Sequence, residues 1–376
     1  MEGADGAAPS TRHCFMKRIL CYVSGHGFGH AARVCEVLRA LHRRRPDVTP
    51  VIRSPLARWF FEFNFGPGVE HAHCRLDVGV VQADSLTVDL EATYRAYAAI
   101  DADSDRLVHD EVAAAHRPAL VLADIPALAF DVAERLGVPG VALANFSWDW
   151  IYADYARDLP GFAALVTRLR ASYARSTLLL RLPLHGDLSA FPHIRDLPLV
   201  ARRATAAAAV VRARLDLPRG DRLVLLSFGG LGLALPAVPP LRGVSYVSTG
   251  GAALGSDAPA GCRAVTHAEM TGAGVRYEDL VGACDVVITK PGYGIVAECI
   301  ANGTPIVYTA RGRFAEYPCL VAGIEAHLPN AFISNADLQA GGWAAALESV
   351  FAQPRRAPGV RIDGAEVAAD ALGAII

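Results

Sequence analysis

Residues 17–30 read KRILCYVSGHGFGH, and this stretch gives the first indication of the fold. Residues 17–24 are mostly apolar and include β-branched and aromatic side chains, which predicts a strand ending at a glycine loop. Residues 31–44 carry apolar side chains at helical spacing, which predicts a helix, and residues 48–53 predict a second strand. A strand, a glycine loop, a helix and a strand in this order are typical of a parallel crossover unit.

The same alternation of strands and helices continues through two halves of the chain. The helices that we predict cover residues 86–116, 126–136, 151–175, 205–215, 279–283, 295–302 and 366–376. The strands that we predict cover residues 119–123, 140–145, 178–182, 222–227, 246–248, 262–265, 286–289 and 305–309. The fold class is therefore α/β, with two doubly wound, Rossmann-like domains that face each other across a ligand-binding cleft.

A proline-punctuated stretch over residues 183–198 separates the two series of elements. We expect a tail over residues 1–16, an N-terminal domain over 17–200 and a C-terminal domain over 201–360. The last segment, residues 361–376, is expected to form a helix that could pack back on the N-terminal domain.

Composition excludes several classes of protein. The chain has 376 residues, and 36 basic side chains nearly cancel 38 acidic ones to leave a net charge of −2. This length suggests two domains, and the missing basic excess argues against a nucleic-acid or anionic-membrane binder. No apolar stretch is long enough for a membrane span, and residues 1–11 lack the layout of a signal peptide. We therefore expect a cytoplasmic protein.

The eight cysteines show neither a C-x-x-C pair nor the spacing of a zinc site, so we expect buried, reduced thiols. Asp101, Asp103 and Asp105 have the D-x-D spacing of some metal-dependent sugar transferases. They fall in a predicted helix, where residues two positions apart do not face each other, so no metal site is expected.

The first glycine loop carries two histidines, His26 and His30. It matches the dinucleotide fingerprint only in part, because His30 replaces the third glycine and no acid follows the next strand. One interpretation is a general base in the cleft, with His30 opposite Asp124 if their two strands are neighbours. The alternatives are a packing or capping role for the histidines and a helix cap for Asp124.

The second glycine loop, residues 288–294 (ITKPGYG), lies between a predicted strand and a predicted helix. Its backbone N–H groups would stand at a phosphate position, and Lys290 adds a positive charge. Glu298 lies one helical turn further on, where a carboxylate can accept hydrogen bonds from a ribose diol. The alternative is a plain turn followed by a solvated glutamate. The glycines are not followed by the lysine and hydroxyl residue of a P-loop.

Several stretches, taken in order, carry a resemblance to known families. They are residues 25–33 (GHGFGHAAR), 77–89 (DVGVVQADSLTVD), 145–152 (NFSWDWIY), 181–183 (RLP), 228–230 (FGG), 290–298 (KPGYGIVAE) and 303–305 (GTP). The layout resembles the GT-B glycosyltransferases. The segment 290–298 is similar to the donor-nucleotide segment of the UDP-glycosyltransferases and of the lipid II N-acetylglucosaminyltransferase. Over about residues 17–350 the chain resembles more closely the N-terminal glycosyltransferase-like domain of plant-type L-arabinokinases.

The resemblance implies roles for individual residues. His30, or less readily His26, matches the histidine that deprotonates the acceptor, and Asp124 matches its carboxylate partner. Glu298 would hold the ribose diol, and Glu316 would hold hydroxyls of the donor sugar. The other implied donor-binding residues are Gly27, Gly229, Gly230, Arg276, Tyr277, Lys290, Gly292, Tyr293 and Gly294.

The acceptor would approach the first domain, just after the strand at residues 140–145. Trp148, Asp149 and Tyr152 follow that strand, and they are our candidates for acceptor binding because aromatic rings stack on sugars and flat aglycones. The alternative is that these aromatic residues pack beneath the cleft. The sequence does not say whether the acceptor is a sugar, a lipid or another small molecule.

The activity implied by the resemblance is an inverting, metal-independent transfer of a hexosyl or pentosyl unit. The expected donor is a nucleotide sugar, in the first place a UDP-sugar, which is a co-substrate, and no cofactor is expected. Two alternatives stay open: a UDP-sugar 2-epimerase of the same fold, and a non-catalytic nucleotide-sugar-binding module. The chain departs from the UDP-glycosyltransferases at residues 289–292, and it lacks the kinase half of L-arabinokinases, so kinase activity is not implied.

Overall fold

The computed structural model describes residues 16–82, 87–229, 233–235, 237–249, 252–254 and 261–376. The elements of the first half are β1 (Lys17–Val23), α1 (Phe28–Arg44), β2 (Val48–Arg53), α2 (Arg58–Asn64), β3 (Glu70–Ala72), α3 (Leu90–Ala102), α4 (Ser104–Ala114), β4 (Leu120–Asp124), α5 (Leu128–Leu136), β5 (Gly140–Ala144), α6 (Trp148–Tyr155), α7 (Phe162–Tyr173), β6 (Leu178–Arg181) and β7 (Ile194–Asp196).

The second half repeats the alternation. Its elements are α8 (Ala208–Arg214), β8 (Arg222–Ser227), β9 (Leu233–Leu235), β10 (Val244–Thr249), β11 (Ala252–Leu254), β12 (Cys262–Val265), α9 (His267–Gly272), α10 (Tyr277–Ala283), β13 (Val286–Thr289), α11 (Tyr293–Asn302), β14 (Ile306–Thr309), α12 (Tyr317–His327), β15 (Asn330–Ile333), α13 (Asn335–Ala340), α14 (Ala344–Phe351) and α15 (Gly364–Ile375).

Each half is built on a parallel sheet. The first sheet has the strand order β3-β2-β1-β4-β5-β6-β7, and the second has the order β12-β10-β8-β13-β14-β15. The central strands β4, β5 and β13 are buried along their whole length, as expected for parallel strands covered by helices on both faces. The predicted pair of doubly wound α/β halves is therefore confirmed.

The sheet register places the first candidate residues side by side. Strands β1 and β4 are parallel neighbours, with Val23 level with Asp124 at their carboxyl ends. The glycine loop after β1 leads into α1, so the first turn of α1 lies beside the end of β4. In the second half, β13 pairs with β8 and β14, and the loop after β13 leads into α11.

Two long helices predicted from the sequence are shorter in the structure. The single helix predicted over residues 151–175 is wrong, because α6 ends at Tyr155 and α7 begins at Phe162. Pro160 and Gly161 lie in the gap, and proline removes a backbone donor while glycine weakens helices. The helix predicted over residues 86–116 is likewise divided at Asp103 into α3 and α4.

The C-terminal helix α15 packs against α1 of the first half. Arg43 and Arg44 of α1 form ion pairs with Glu366 and Asp370 of α15, at 2.9 Å each. One face of α15, which includes Ala368 and Leu372, is buried. The chain thus ends on the half in which it began.

Candidate functional site

A cavity of about 730 Å³ lies between the two halves. Residues of both halves line it, so it is formed only when the two sheets face each other. The candidate residues on its wall are His26, Gly27, His30, Gly229, Tyr277, Lys290, Gly292, Tyr293, Gly294, Glu298 and Glu316. Gly230, which was also a candidate, falls outside the described residues.

His30 and Asp124 form a buried pair at the edge of this cavity. His30 lies in the first turn of α1, and its Nδ1 atom is 2.7 Å from Oδ1 of Asp124 at the end of β4. Asp124 is completely buried. It does not cap the following helix, since the N-cap position of α5 is Ala127. The pairing leaves Nε2 as the ring nitrogen of His30 that Asp124 does not engage.

Arg33 is a third member of this cluster, and no role was predicted for it from the sequence. It lies three residues after His30 on the same face of α1, and its Nε and terminal nitrogen donate to the two oxygens of Asp124 at 2.5 and 2.6 Å. Its other terminal nitrogen donates to Oδ1 of Asn145 at 2.6 Å. Burial alone would raise the pKa of Asp124, but the charge of Arg33 and the hydrogen bonds from Arg33 and His30 lower it below its usual value. Asp124 is therefore an anion beside His30.

His26 has a different environment from His30. Its Nδ1 accepts a hydrogen bond from the backbone N–H of Val80 at 3.3 Å, and its ring stacks on Phe314 with centroids 5.7 Å apart. Burial, reinforced by nearby positive charges, first that of Arg311, holds the pKa of His26 well below its usual value. The ring is therefore neutral with the proton on Nε2, which makes it a donor toward the cavity and a poor base.

The second glycine loop connects β13 to α11. Gly292 is the N-cap of α11 and has extended backbone angles, and the first residues of α11 present N–H groups that have no partner within the helix. A Cβ atom at Gly294 would lie only 3.2 Å from the Cα atom of Gly29 in α1. The first turns of α1 and α11 thus meet across the cleft, and both helix N-termini favour an anion there.

Glu298 lies deeper along α11 and is held by Arg202. Two nitrogens of Arg202 donate to Oε1 of Glu298, the Nε atom at 2.7 Å, and Arg202 also donates to Asn64 of α2 at 2.5 Å. Oε2 of Glu298 takes no part in these bonds. Burial raises the pKa of Glu298 to about 7 even though Arg202 opposes the shift.

Tyr277 and Arg276 differ in their relation to the cavity. Tyr277 lines it, and its hydroxyl is 2.6 Å from Oγ of Ser227. Arg276 lies off the cavity wall, with its Nε 2.6 Å from a carboxylate oxygen of Glu278. Of these two neighbouring residues, Tyr277 is therefore the one whose side chain a ligand in the cavity can reach.

Glu316 joins the two halves. Its Oε1 atom accepts from Arg311, and its Oε2 atom accepts from the amide nitrogen of Asn145 at 3.4 Å. Arg311 also donates to the backbone carbonyl of Pro291 in the second glycine loop at 3.0 Å.

Sequence reasoning missed Arg33, Asn145, Arg202 and Arg311. The helical spacing of His30 and Arg33 is the one signal that was available for any of them.

The three residues expected to bind an acceptor are buried in the core of the first half. Trp148 and Tyr152 are fully buried, and Asp149 is 3% exposed. The indole N–H of Trp148 donates to Asp77 at 2.8 Å, and the Tyr152 hydroxyl donates to the carbonyl of Gly79. None of the three lies on the wall of the described cavity, so their expected contact with an acceptor is corrected to packing beneath the cleft.

The aspartates with D-x-D spacing are engaged in separate ion pairs. Asp101, Asp103 and Asp105 each pair with a different arginine, at 2.5, 2.6 and 2.6 Å. Within the described ranges, no three His, Cys, Asp or Glu side chains come together as a metal-ligand group.

Among the residues that the structure describes, the seven cysteines are free thiols. None of the helices described is both long and apolar enough to cross a membrane.

Known proteins resemble this chain in sequence or in structure. No family model matches the chain. L-arabinokinase from Arabidopsis thaliana is 31% identical over 374 residues, which is 98% of this chain and 35% of that protein. The chain thus spans about a third of the length of this relative.

Solved structures of glycosyltransferases resemble nearly the whole chain. The glycosyltransferase of kitacinnamycin has a TM-score of 0.59 and 17% identity, over 96% of this chain and 99% of that one. The spinosyn rhamnosyltransferase SpnG has a TM-score of 0.57 and 14% identity, over 96% and 95%. UGT2 of Phytolacca americana, complexed with UDP-2fluoro-glucose and pterostilbene, has a TM-score of 0.55 and 12% identity, over 96% and 94%. Together with the two facing parallel sheets, these likenesses show that the chain has the GT-B fold.

Proposed function

We propose that this chain is an inverting glycosyltransferase that moves a sugar from a nucleotide sugar, in the first place a UDP-sugar, to an acceptor nucleophile. One observation carries the proposal. His30, backed by Asp124 in the first half, shares a single cavity with the glycine loop and the α11 N-terminus of the second half. A base and an anion-binding loop on opposite walls are what transfer from a diphosphate donor requires.

The reaction would proceed in one displacement. Nε2 of His30 takes the proton from the acceptor hydroxyl while the acceptor oxygen bonds to the anomeric carbon. The bond between that carbon and the diphosphate oxygen breaks, and its electron pair leaves with the nucleoside diphosphate. Asp124 stabilises the imidazolium that forms, because its carboxylate is 2.7 Å from Nδ1. Attack opposite to the leaving group inverts the anomeric centre.

The second half would hold the donor. The N–H groups at the start of α11 and the ammonium of Lys290, which lines the cavity, would stabilise the negative charge of the leaving diphosphate. This arrangement supports a reaction without a metal ion. Oε2 of Glu298 is available for the ribose diol, because Arg202 engages only Oε1.

The choice of UDP is supported by likeness. The structure of Phytolacca americana UGT2 contains UDP-2fluoro-glucose, and another similar structure is a UDP-glucosyltransferase of Polygonum tinctorium. The aromatic Tyr277, which lines the cavity close to Arg202, fits a neighbouring nucleoside.

The test is release of nucleoside diphosphate from UDP-sugars in the presence of a panel of sugar, lipid and phenolic acceptors. We expect wild-type protein to release UDP together with a glycosylated product of inverted configuration. Conversion of UDP-N-acetylglucosamine without an acceptor would indicate a 2-epimerase. Stoichiometric binding without turnover across the panel would indicate a binding module, and either result would overturn the proposal.

A further inference from the structure

A continuous series of hydrogen bonds runs from the candidate base to the candidate donor loop. We call it the base-to-loop chain, and its members, in order, are His30, Asp124, Arg33, Asn145, Glu316 and Arg311. Successive members are joined by the bonds described above, and Arg311 ends the series on the carbonyl of Pro291. The series begins at the group proposed to take a proton and ends in the loop proposed to hold the leaving group.

The base-to-loop chain crosses from one half of the molecule to the other. His30, Arg33, Asp124 and Asn145 belong to the first half, so the crossing occurs between Asn145 and Glu316. Arg33 makes a second crossing, since its guanidinium lies 5.0 Å from the ring centroid of Tyr293, the first residue of α11. Arg33 therefore contacts the histidine–aspartate pair on one side and the donor helix on the other.

The base-to-loop chain is largely shielded from bulk water. Each member of the base-to-loop chain is at most 7% exposed. Buried hydrogen bonds between charged groups are strong and direction-dependent, and a member that loses its partner is left unsatisfied. The orientation of each group therefore depends on the next one in the series.

The guanidinium group of Arg33 links the two ends of the base-to-loop chain. It spans Asp124 and Asn145 at the same time, which requires a planar group with several fixed donors. A lysine at this position would keep the positive charge but could not make the same set of bonds. The substitution Arg33→Lys therefore separates the effect of the positive charge from the effect of the hydrogen-bonding geometry.

We propose that Arg33 and Asn145 are positioning residues that fix the His30–Asp124 pair in the first half relative to the donor loop in the second half. This inference rests on the proposed glycosyl transfer. Neither residue needs to touch the donor or the acceptor. Their removal is expected to misalign the base while leaving most donor contacts in place.

The variants Asn145→Ala and Arg33→Lys test the inference, with Asn330→Ala as the matched control. Asn330 lies in β15, where its side-chain amide bonds to the carbonyl of Leu328 outside the base-to-loop chain. The first readout is kcat and KM for the UDP-sugar. We expect both test variants to lower kcat about tenfold or more while KM for the donor changes less than about threefold, and the control to change neither.

The second readout is independent of turnover. Nitrogen-15 NMR of the histidine side chains reports the tautomer and ring environment of His30 in the protein without ligand. We expect Asn145→Ala to shift or broaden the His30 ring signals although Asn145 does not contact His30, and we expect Asn330→Ala to leave them unchanged.

Wild-type His30 signals in Asn145→Ala would overturn the inference, as would full kcat in Arg33→Lys, which would show that charge alone suffices. If the wild-type protein turns over no nucleotide sugar, the proposed function fails. The NMR comparison would still answer whether Asn145 positions the histidine. The two failures are therefore distinguishable.

Discussion

His26 and His30 lie in one glycine-rich stretch of sequence, His26 in the loop and His30 in the first turn of α1, yet their surroundings assign them different chemistry. His30 is paired with an anionic carboxylate, whereas His26 already uses Nδ1 to accept a backbone hydrogen bond. An imidazole whose pKa is held well below its usual value by burial stays neutral, so His26 has little capacity to take a proton. The sequence left open which of the two histidines is the base, and the environment favours His30.

Replacement of His30 by alanine is expected to lower kcat by roughly 10² to 10⁴, the usual contribution of a general base. His26→Gln retains a donor and is expected to raise KM more than it lowers kcat. Both variants are measured for release of nucleoside diphosphate over a range of donor concentrations, which gives kcat and the KM for the donor separately. Equal kcat for His30→Ala and wild type would remove the base assignment.

Glu298 gives a prediction for the pH dependence of stability. Burial raises its pKa in the folded protein from 4.5 to about 7. The folded state then binds more protons than the unfolded state between these two pH values, so the contribution of Glu298 to stability is present below pH 4.5 and is lost as the pH rises through 7. The loss amounts to roughly 3 kcal/mol.

The variant Glu298→Gln is expected to lose this pH dependence. Urea unfolding at pH 5 and pH 8 measures it, and wild-type protein should lose more stability between the two pH values than the variant does. Glu325→Gln, at an exposed position of α12, is the control and should behave like wild type. An identical pH dependence in wild type and Glu298→Gln would contradict the environment described for Glu298.

At the residue scale, the sequence predicts a site residue only where local rules place it. His30 was expected opposite Asp124 because each ends up at the carboxyl end of a neighbouring strand, and the register of β1 and β4 confirms that neighbourhood. Arg202 and Asn145 act through contacts with segments that are distant in sequence, and Arg311 contacts Pro291 of the preceding glycine loop. Nothing in their local sequence indicates those partners.

At the scale of single elements, periodicity predicts where strands run and fails where helices are interrupted. The strands over residues 222–227 and 286–289 match β8 and β13. The helix predicted over residues 151–175 failed because apolar side chains recur on both sides of Pro160 and Gly161, so periodicity alone did not show the break. Trp148 and Tyr152 were predicted to bind an acceptor because they are aromatic. They are buried, and they donate hydrogen bonds to Asp77 and Gly79, in a segment that is distant in sequence.

The C-terminal helix α15 supplies a matched pair of glycines. A Cβ atom at Gly364 would lie 2.2 Å from the carbonyl oxygen of Pro198, whereas a Cβ atom at Gly373 would meet nothing within 4 Å. We expect Gly364→Ala to destabilise the protein by about 1–3 kcal/mol through this clash. Gly373→Ala should be neutral or stabilising by up to about 1 kcal/mol, because alanine is the better helix former.

Chemical denaturation of the two alanine variants measures these differences. A stability of Gly364→Ala equal to that of Gly373→Ala would show that α15 does not sit as closely on residues 198–199 as the structure has it.

At the scale of the whole molecule, a net charge of −2 is compatible with binding a diphosphate. The positive charge that matters is local. The N-terminus of α11, Lys290 and Arg311 are directed at one cleft between the halves, so no basic surface is required. The fold follows from sequence pattern because each half can be recognised separately, while the cleft chemistry depends on how the halves face each other.

A thermal-shift series with UDP, TDP, GDP and their sugars tests whether this cleft binds a nucleotide sugar. A ligand that binds only the folded state stabilises it by about 2.7 kcal/mol at one hundred times its Kd. We expect one nucleotide, in the first place UDP, and its sugars to raise Tm in a saturable manner, and we expect Lys290→Met to reduce that rise. If neither the nucleotides nor their sugars raise the Tm of the wild-type protein, binding of a nucleotide sugar in this cleft is contradicted.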